Sequence, residues 1–168
     1  GHVIRDLAMT PGMLQRLAPI LEQSDEVIRF EGLNGVVRMS ADAPDAPGYA
    51  RTVGDAITQL QHYSAYKILM STSLANRIAQ DQAFEPLLCF NELELEVTEI
   101  SPRECTKREG IQSVLDALDP HHGTVYGIGD ASNDVSLMNA VDVGIAMGNA
   151  PDYLKKRADY ITDSVDKD

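Results

Sequence analysis

The residues best suited to chemistry lie in one short stretch near the C-terminal end of the sequence. Gly129-Asp130 follows an apolar, strand-like run, and Asn133-Asp134 begins an apolar helical pattern. In an open parallel sheet, ligands bind outside the carboxyl ends of the strands, where the next helix offers free N–H groups. A carboxylate there takes Mg²⁺, while amide and backbone N–H groups take the oxygens of an anion. The stretch therefore predicts a site for a divalent cation and a phosphate group.

The same stretch is compatible with two other patterns. In the first, Asp130 and Ser132 only cap the helix, with Ser132 as the N-cap; this stays open, although it gives Asn133 and Asp134 no role. In the second, Gly127-x-Gly129 begins a dinucleotide-binding fingerprint. We exclude it because Ser132 replaces the third glycine and Asp130 would face the pyrophosphate.

The elements around this site alternate between strand and helix. Ile111, Val114, Leu115 and Leu118 have the spacing of one helix face, which predicts an amphipathic helix from Lys107 onwards. The elements predicted after it are buried strands at 124–128 and 143–147, helices at 132–140 and 151–158, and a strand at 160–162. This alternation predicts a parallel sheet with helices on its faces.

The first hundred residues have a different pattern, in which strands come in pairs. The predicted elements are helices at 10–23, 52–62 and 73–80, strands at 26–30, 35–40, 66–71, 87–91 and 93–101, and a loop at 40–50. In the last strand Leu93, Leu95 and Val97 alternate with Glu94 and Glu96, which predicts one buried and one wet face. We expect an α+β domain over residues 1–101 and a second domain over residues 102–168.

Composition disfavours several classes of partner and site. The net charge of −12 disfavours nucleic acid and anionic membrane surfaces, and the only basic run, Lys155-Lys156-Arg157, suits a solvated helix face. Cys89 and Cys105 have neither zinc-site spacing nor a disulfide framework. Since no apolar run reaches transmembrane length and no signal peptide is evident, we expect a cytoplasmic protein.

The string from Gly129 to Asp168 resembles the fourth motif and C-terminal part of Cof-type phosphatases in the haloacid dehalogenase (HAD) superfamily. Their pattern is Gly-Asp-x-x-Asn-Asp, then Met, then Gly-x-Ala-Met-Gly-Asn-Ala, and the match covers nearly all of 107–168. Residues 66–101 resemble more loosely the large α/β cap of these enzymes. The resemblance implies an α/β fold in which 102–168 form half of a Rossmann-like core with a parallel sheet, and 1–101 form a separate α+β cap.

The resemblance also implies a role for each site residue. Asp130 matches the Mg²⁺ ligand, Asn133 the phosphate contact, and Asp134 the acid that steadies the site and its lysine. Lys107 matches the third-motif lysine that neutralises phosphate charge, although Arg108 stands where the family usually has glycine. The implied cofactor is Mg²⁺, and the implied substrates are small phosphomonoesters such as sugar phosphates.

One part of the family's machinery is missing from the sequence. The family uses an Asp nucleophile, in an Asp-x-Asp pair after a buried strand, with the second Asp as general acid and base. Asp166-x-Asp168 has this spacing but follows the last strand, and Asp42 and Asp45 are misspaced. We therefore expect a cap plus the C-terminal part of a core, inactive alone and self-associating through an exposed sheet edge. The alternative is a non-catalytic module that binds a cation and phosphate, or a partner.

Overall fold

The computed structural model describes residues 3–33, 35–60, 64–93, 95–118 and 123–167. These residues form two compact units, one of Leu7–Glu104 and one of Cys105–Asp168 together with the residues before Leu7. Within the described ranges, none of the helices is both long and apolar enough to cross a membrane.

The described part of the first unit is a six-stranded sheet with three α-helices. Its elements are α1 (Pro11–Leu21), β1 (Ile28–Glu31), β2 (Val36–Met39), β3 (Tyr49–Ala50), α2 (Val53–Gln59), β4 (Lys67–Ser71), α3 (Thr72–Ala79), β5 (Leu88–Glu92) and β6 (Val97–Pro102). The strand order is β3-β2-β1-β4-β6-β5. All neighbouring strands are antiparallel except β2 and β3, which are parallel.

The core of this unit lies on one face of the sheet. Alternate strand residues such as Ile28, Phe30 and Ile68 are fully buried, and they belong to the same hydrophobic cluster as Leu17 and Leu21 of α1. The intervening residues of β1, β2 and β4 point to the opposite face, because successive side chains of a strand alternate between faces. That opposite face is called the open face below.

The sequence prediction for the β5–β6 region is partly wrong. β6 begins at Val97, and the chain reverses before it, since Leu93 N donates to Val97 O at 2.7 Å. Leu95 and Glu96 have φ values of 61° and 58°, and Leu95 is 92% exposed. A short hairpin loop needs such left-handed residues, so the apolar alternation continues through a turn rather than a strand. Glu94 lies outside the described residues.

The loop predicted at 40–50 ends in the short strand β3, which pairs with β2.

The second unit contains a three-stranded parallel sheet. Its elements are α4 (Lys107–Ala117), β7 (Tyr126–Gly129), α5 (Val135–Met138), β8 (Val143–Ala146), α6 (Asp152–Lys155) and β9 (Tyr160–Ile161), with 3₁₀ turns at Ser132–Asp134 and Val165–Lys167. The order is β7-β8-β9, and both pairs of neighbours are parallel. The predicted α/β fold with a parallel sheet is therefore confirmed.

The two faces of this small sheet differ in burial. Gly127, Gly129 and Ala146 are buried, with Ala146 in a cluster that includes Met138 of α5 and Leu154 of α6. On the other face Tyr126 and Ile128 are 65% and 59% exposed, and Tyr160 of β9 is 65% exposed. The prediction of a buried strand at 124–128 is therefore wrong for one face of that strand. The helix predicted from Lys107 onwards is present as α4, but its apolar stripe contains no fully buried residue.

Candidate active site

The loop after β7 places the predicted site residues at the carboxyl end of the parallel sheet. Asp130 follows Gly129 directly, and the helix predicted at 132–140 is a 3₁₀ turn that continues into the four-residue helix α5. Asp134 is only 2% exposed, whereas Asp130 and Asn133 are exposed. The site thus has one buried carboxylate at its centre and two polar side chains at its solvent rim.

Asp134 joins the loop to α4. Its Oδ2 accepts hydrogen bonds from the backbone N–H of Asp130 at 2.9 Å and of Ala131 at 3.0 Å. Its Oδ1 accepts a hydrogen bond from Nζ of Lys107, 27 residues earlier in the chain. One buried carboxylate therefore fixes both the backbone that carries Asp130 and the position of a cation.

The local capping differs from the sequence prediction. Ser132 is the first residue of the 3₁₀ turn; the N-cap is Ala131, which has no side-chain capping bond, so Ser132 as N-cap is wrong. Instead of a serine cap, the side chain of Asp134 accepts hydrogen bonds from the backbone N–H groups of Asp130 and Ala131, which precede it in the chain. As a result, the N–H groups of Asp130 and Ala131 are already hydrogen-bonded to Asp134. The expectation that backbone N–H groups of this turn bind the anion therefore does not hold for these two groups.

Lys107 is presented by the start of α4. Thr106 caps this helix, since its Oγ1 accepts from Glu109 N at 3.4 Å, and Arg108 continues the helix in place of the family's glycine. The side chain of Lys107 remains 47% exposed while its ammonium contacts Asp134. The ammonium is therefore held on one side and open to a ligand on the other.

The electrostatics of Asp134 follow from these contacts. Burial by itself would raise the pKa of Asp134, but the hydrogen bond from Lys107, the two backbone hydrogen bonds and the charge of Lys107 together hold this pKa below its ordinary value of 3.8. Asp134 is therefore ionised at neutral pH. As a carboxylate that accepts three hydrogen bonds, it is suited to positioning rather than to proton transfer.

Gly129 is required for this arrangement. A Cβ at Gly129 would lie 2.5 Å from both Cβ and Cγ of Asp134. Any larger residue would push the carboxylate away from the two amides and from Lys107. The glycine of the Gly-Asp motif therefore makes room for Asp134, rather than for a ligand.

Asn149 is a site residue that sequence reasoning missed. Its Nδ2 donates to Oδ2 of Asp130 at 3.2 Å. The resemblance included Asn149 in the Gly-x-Ala-Met-Gly-Asn-Ala string but gave it no role. Its position just after β8, the neighbour of β7, could have identified it, because the carboxyl ends of parallel strands meet at one edge.

The side chains of the site can supply only part of the coordination shell of a cation. In the ranges that the structure describes, no group of three or more His, Cys, Asp or Glu side chains could hold a metal ion. Asp130 offers one exposed carboxylate, one of whose oxygens accepts from Asn149. Mg²⁺ commonly uses one or two carboxylates and keeps several waters or substrate oxygens, so Asp130 fits as one such ligand. Asp166 of the rejected Asp-x-Asp pair is exposed, and Asp168 lies outside the described residues.

Comparison with known proteins identifies relatives over nearly the whole chain. A family model described as haloacid dehalogenase-like hydrolase matches residues 8–168. YkrA of Bacillus subtilis is 41% identical over 71 residues, which are 42% of this chain and 28% of YkrA. YcsE of the same organism, a 5-amino-6-(5-phospho-D-ribitylamino)uracil phosphatase, is 36% identical over 78 residues, covering 42% of this chain and 31% of YcsE.

The structural match covers more of the chain than the matches to the curated relatives do. The HAD subclass IIB sugar phosphatase BT4131 superposes with a TM-score of 0.75 at 16% identity, covering 99% of this chain and 66% of that one. This likeness shows the fold. The matches also show that the chain spans less than a third of the length of these curated relatives and about two thirds of that solved structure.

Proposed function

Because the chain belongs to the haloacid dehalogenase-like hydrolases, we propose that it forms part of a Mg²⁺-dependent phosphatase acting on small phosphomonoesters such as sugar phosphates. The observation that carries the proposal is the position of Asp134. This buried carboxylate holds the ammonium of Lys107 and the backbone that leads from Asp130. The ammonium of Lys107 and the loop that carries Asp130 are thereby both held by Asp134 at the carboxyl end of a parallel sheet, where ligands bind in such folds.

Each exposed group has a distinct task in this proposal. Lys107 neutralises charge on the phosphate oxygens, and its half-exposed side chain is free to do so. Asn133 donates its side-chain amide to a phosphate oxygen, and Asp130 supplies one oxygen to the metal. When bound, Mg²⁺ would polarise the phosphoryl group as a Lewis acid. Asn149 keeps the Asp130 carboxylate turned towards the edge of the sheet.

The nucleophile is assigned to a segment outside these 168 residues. Across the described parts of the chain, no Asp-x-Asp pair follows a buried strand. Lys107, Asn133 and Asp130 can stabilise charge, but without a nucleophile and its acid/base partner the covalent route is closed. We therefore expect the 168 residues alone to be inactive, and to become active once such a segment is supplied.

The test is hydrolysis of p-nitrophenyl phosphate with and without Mg²⁺. The 168-residue chain should show no turnover above background, and a longer form carrying an Asp-x-Asp segment should show Mg²⁺-dependent turnover that Asp130→Asn abolishes. Asp152→Asn is the matched control, because Asp152 is exposed and its side chain accepts no hydrogen bond in the described structure. Robust turnover by the 168 residues that survives Asp130→Asn would refute the site.

The same experiment separates the alternative function. If the longer form binds Mg²⁺ and inorganic phosphate but never turns over substrate, the protein is a non-catalytic module that has kept the cation and phosphate site. The exposed Asp130 and half-exposed Lys107 support binding in either case. Turnover therefore decides between the two.

A further inference from the structure

A second charged feature lies on the open face of the six-stranded sheet. Arg29 of β1 and Arg38 of β2 are direct cross-strand partners. The N–H of Arg38 donates to Gly48 O at 2.9 Å, away from β1, so the arginines form the closely spaced, non-hydrogen-bonded type of pair. In such pairs the Cα atoms are about 4.5 Å apart and the side chains lie next to each other.

The two arginines of this pair differ in their ion-pair partners. Arg29 forms an ion pair with Glu31, and the nearby Lys67 is paired with Glu99 at 2.8 Å. Arg38 has no carboxylate partner among the described residues. Like charges directly opposite one another destabilise a sheet. In a chain of net charge −12, an unpaired arginine beside a second arginine is therefore a cost that a bound anion would remove.

The two arginines line a depression whose lining is partly polar and partly apolar. Its volume is about 460 Å³, and its lining includes Val27, Leu69 and Val97. This volume lies within the range of small-molecule sites. The depression therefore offers a carbon skeleton an apolar surface beside a pair of guanidinium groups.

Two carboxylates also line the depression. Glu26 is engaged by protein, since it accepts from Ser71 N at 2.8 Å, from Ser71 Oγ at 2.9 Å and from Ser24 Oγ at 3.3 Å. Glu96 is exposed at the hairpin loop. The carboxylate of Glu26 is thus held in the wall by three hydrogen bonds, and the two arginines are the cationic side chains of the lining that can attract an anion.

We propose that this depression binds a small organic anion, whose negative group is held by Arg29 and Arg38 and whose carbon skeleton packs on Leu69 and Val97. Arginine suits this role because its planar guanidinium binds phosphate or carboxylate through two hydrogen bonds at once. Every residue involved belongs to the Leu7–Glu104 unit. The proposal therefore does not depend on Lys107 or Asp130.

The test is a titration of the 168-residue chain with phenylphosphonate, a stable organic anion, followed by calorimetry and by amide NMR shifts. We expect shifts at Arg29, Arg38 and Leu69, and tighter binding than for inorganic phosphate because of the apolar part of the lining. Arg38→Gln should weaken binding about tenfold or more, since a charge-assisted hydrogen bond is lost, and Arg38→Lys should restore part of it. Arg16→Gln is the matched control: Arg16 is exposed on α1 and its loss changes the net charge equally.

Several outcomes would overturn the proposal. Equal weakening by Arg16→Gln would mean that only the net charge matters, and an unchanged affinity of Arg38→Gln would exclude the arginine pair. Shifts confined to the loop around Lys107, abolished by Lys107→Gln, would place the anion in the other unit. The urea midpoint of Arg38→Gln should equal or exceed that of the parent, because a like-charge pair is removed. A lower midpoint with lost binding would make Arg38 structural.

Discussion

Asp134→Asn should destabilise the Cys105–Asp168 unit by about 2 kcal/mol. The asparagine oxygen can still accept from the N–H groups of Asp130 and Ala131, but these two bonds lose their charge assistance, at about 0.5 kcal/mol each. The substituted amide also presents N–H groups to Lys107. Because Lys107 is 47% exposed, its ion pair with Asp134 is discounted to about 1 kcal/mol.

Matched variants separate these contributions. Asp134→Ala should cost about 2 kcal/mol more than Asp134→Asn, because it leaves the partly buried N–H groups of Asp130 and Ala131 without their acceptor. Lys107→Met should cost only about 1 kcal/mol, since Asp134 keeps both amide bonds. Asp152→Asn should stay within about 0.5 kcal/mol of the parent, as surface substitutions usually do.

The measurement is urea denaturation combined with hydrogen exchange of the Asp130 and Ala131 amides. Exchange at these two positions should accelerate in both Asp134 variants and remain slow in Lys107→Met. If Asp134→Ala and Asp152→Asn gave the same stability and exchange rates, the reasoning about Asp134 would be refuted.

The pH dependence has a defined sign. The folded-state pKa of Asp134 lies below its ordinary value of 3.8, so its stabilisation is fully present above that value and is lost as pH falls through the lower, folded pKa. The stability difference between the parent and Asp134→Asn should therefore be constant from neutral pH to about pH 5, and should shrink below 3.8. A difference that already collapses near pH 6 would contradict the lowered pKa.

Two further predictions concern the same unit. Gly129→Ala should destabilise it by about 1–3 kcal/mol, because the new Cβ would overlap Asp134, whereas Gly110→Ala, with no atom within 4 Å, should be neutral or stabilising by up to about 1 kcal/mol; urea midpoints test both. We also expect the chain to self-associate through the edge of β7 and the exposed face that carries Tyr126 and Ile128. Sedimentation should show that Ile128→Lys reduces association while Val165→Lys, on an exposed turn, does not; a clean monomer at high concentration would count against this.

The sequence was informative wherever local pattern decides structure. The strand–helix alternation after Lys107 predicted the parallel sheet, and the paired strands of the first hundred residues predicted the hairpins β1–β2 and β5–β6. It failed at Leu95, because an apolar alternation carries no information on whether the backbone adopts a left-handed turn. It also failed at Ile128, since a strand's apolar content does not say which elements cover each face.

The site shows the same limit at the level of single side chains. Resemblance drew attention to Lys107, Asp130, Asn133 and Asp134, and the structure brings Lys107 and Asp134 into contact and places Asp130 and Asn133 in the same loop. The pattern could not show that Asp134, rather than Ser132, satisfies the loop amides. That choice depends on Gly129 having no Cβ and on a lysine far away in the sequence.

The order of the two units along the chain has a consequence for biosynthesis. All six strands of the larger sheet, including its non-local pairs, lie within the continuous segment Leu7–Glu104. A ribosome adds about 5–20 residues per second, so several seconds pass before β9 emerges, which is longer than most small domains need to fold. The larger unit can therefore complete its hydrophobic core while the nascent chain is still tethered. The parallel strands, with their exposed tyrosines and isoleucines, then leave the ribosome after the larger unit is already protected from aggregation.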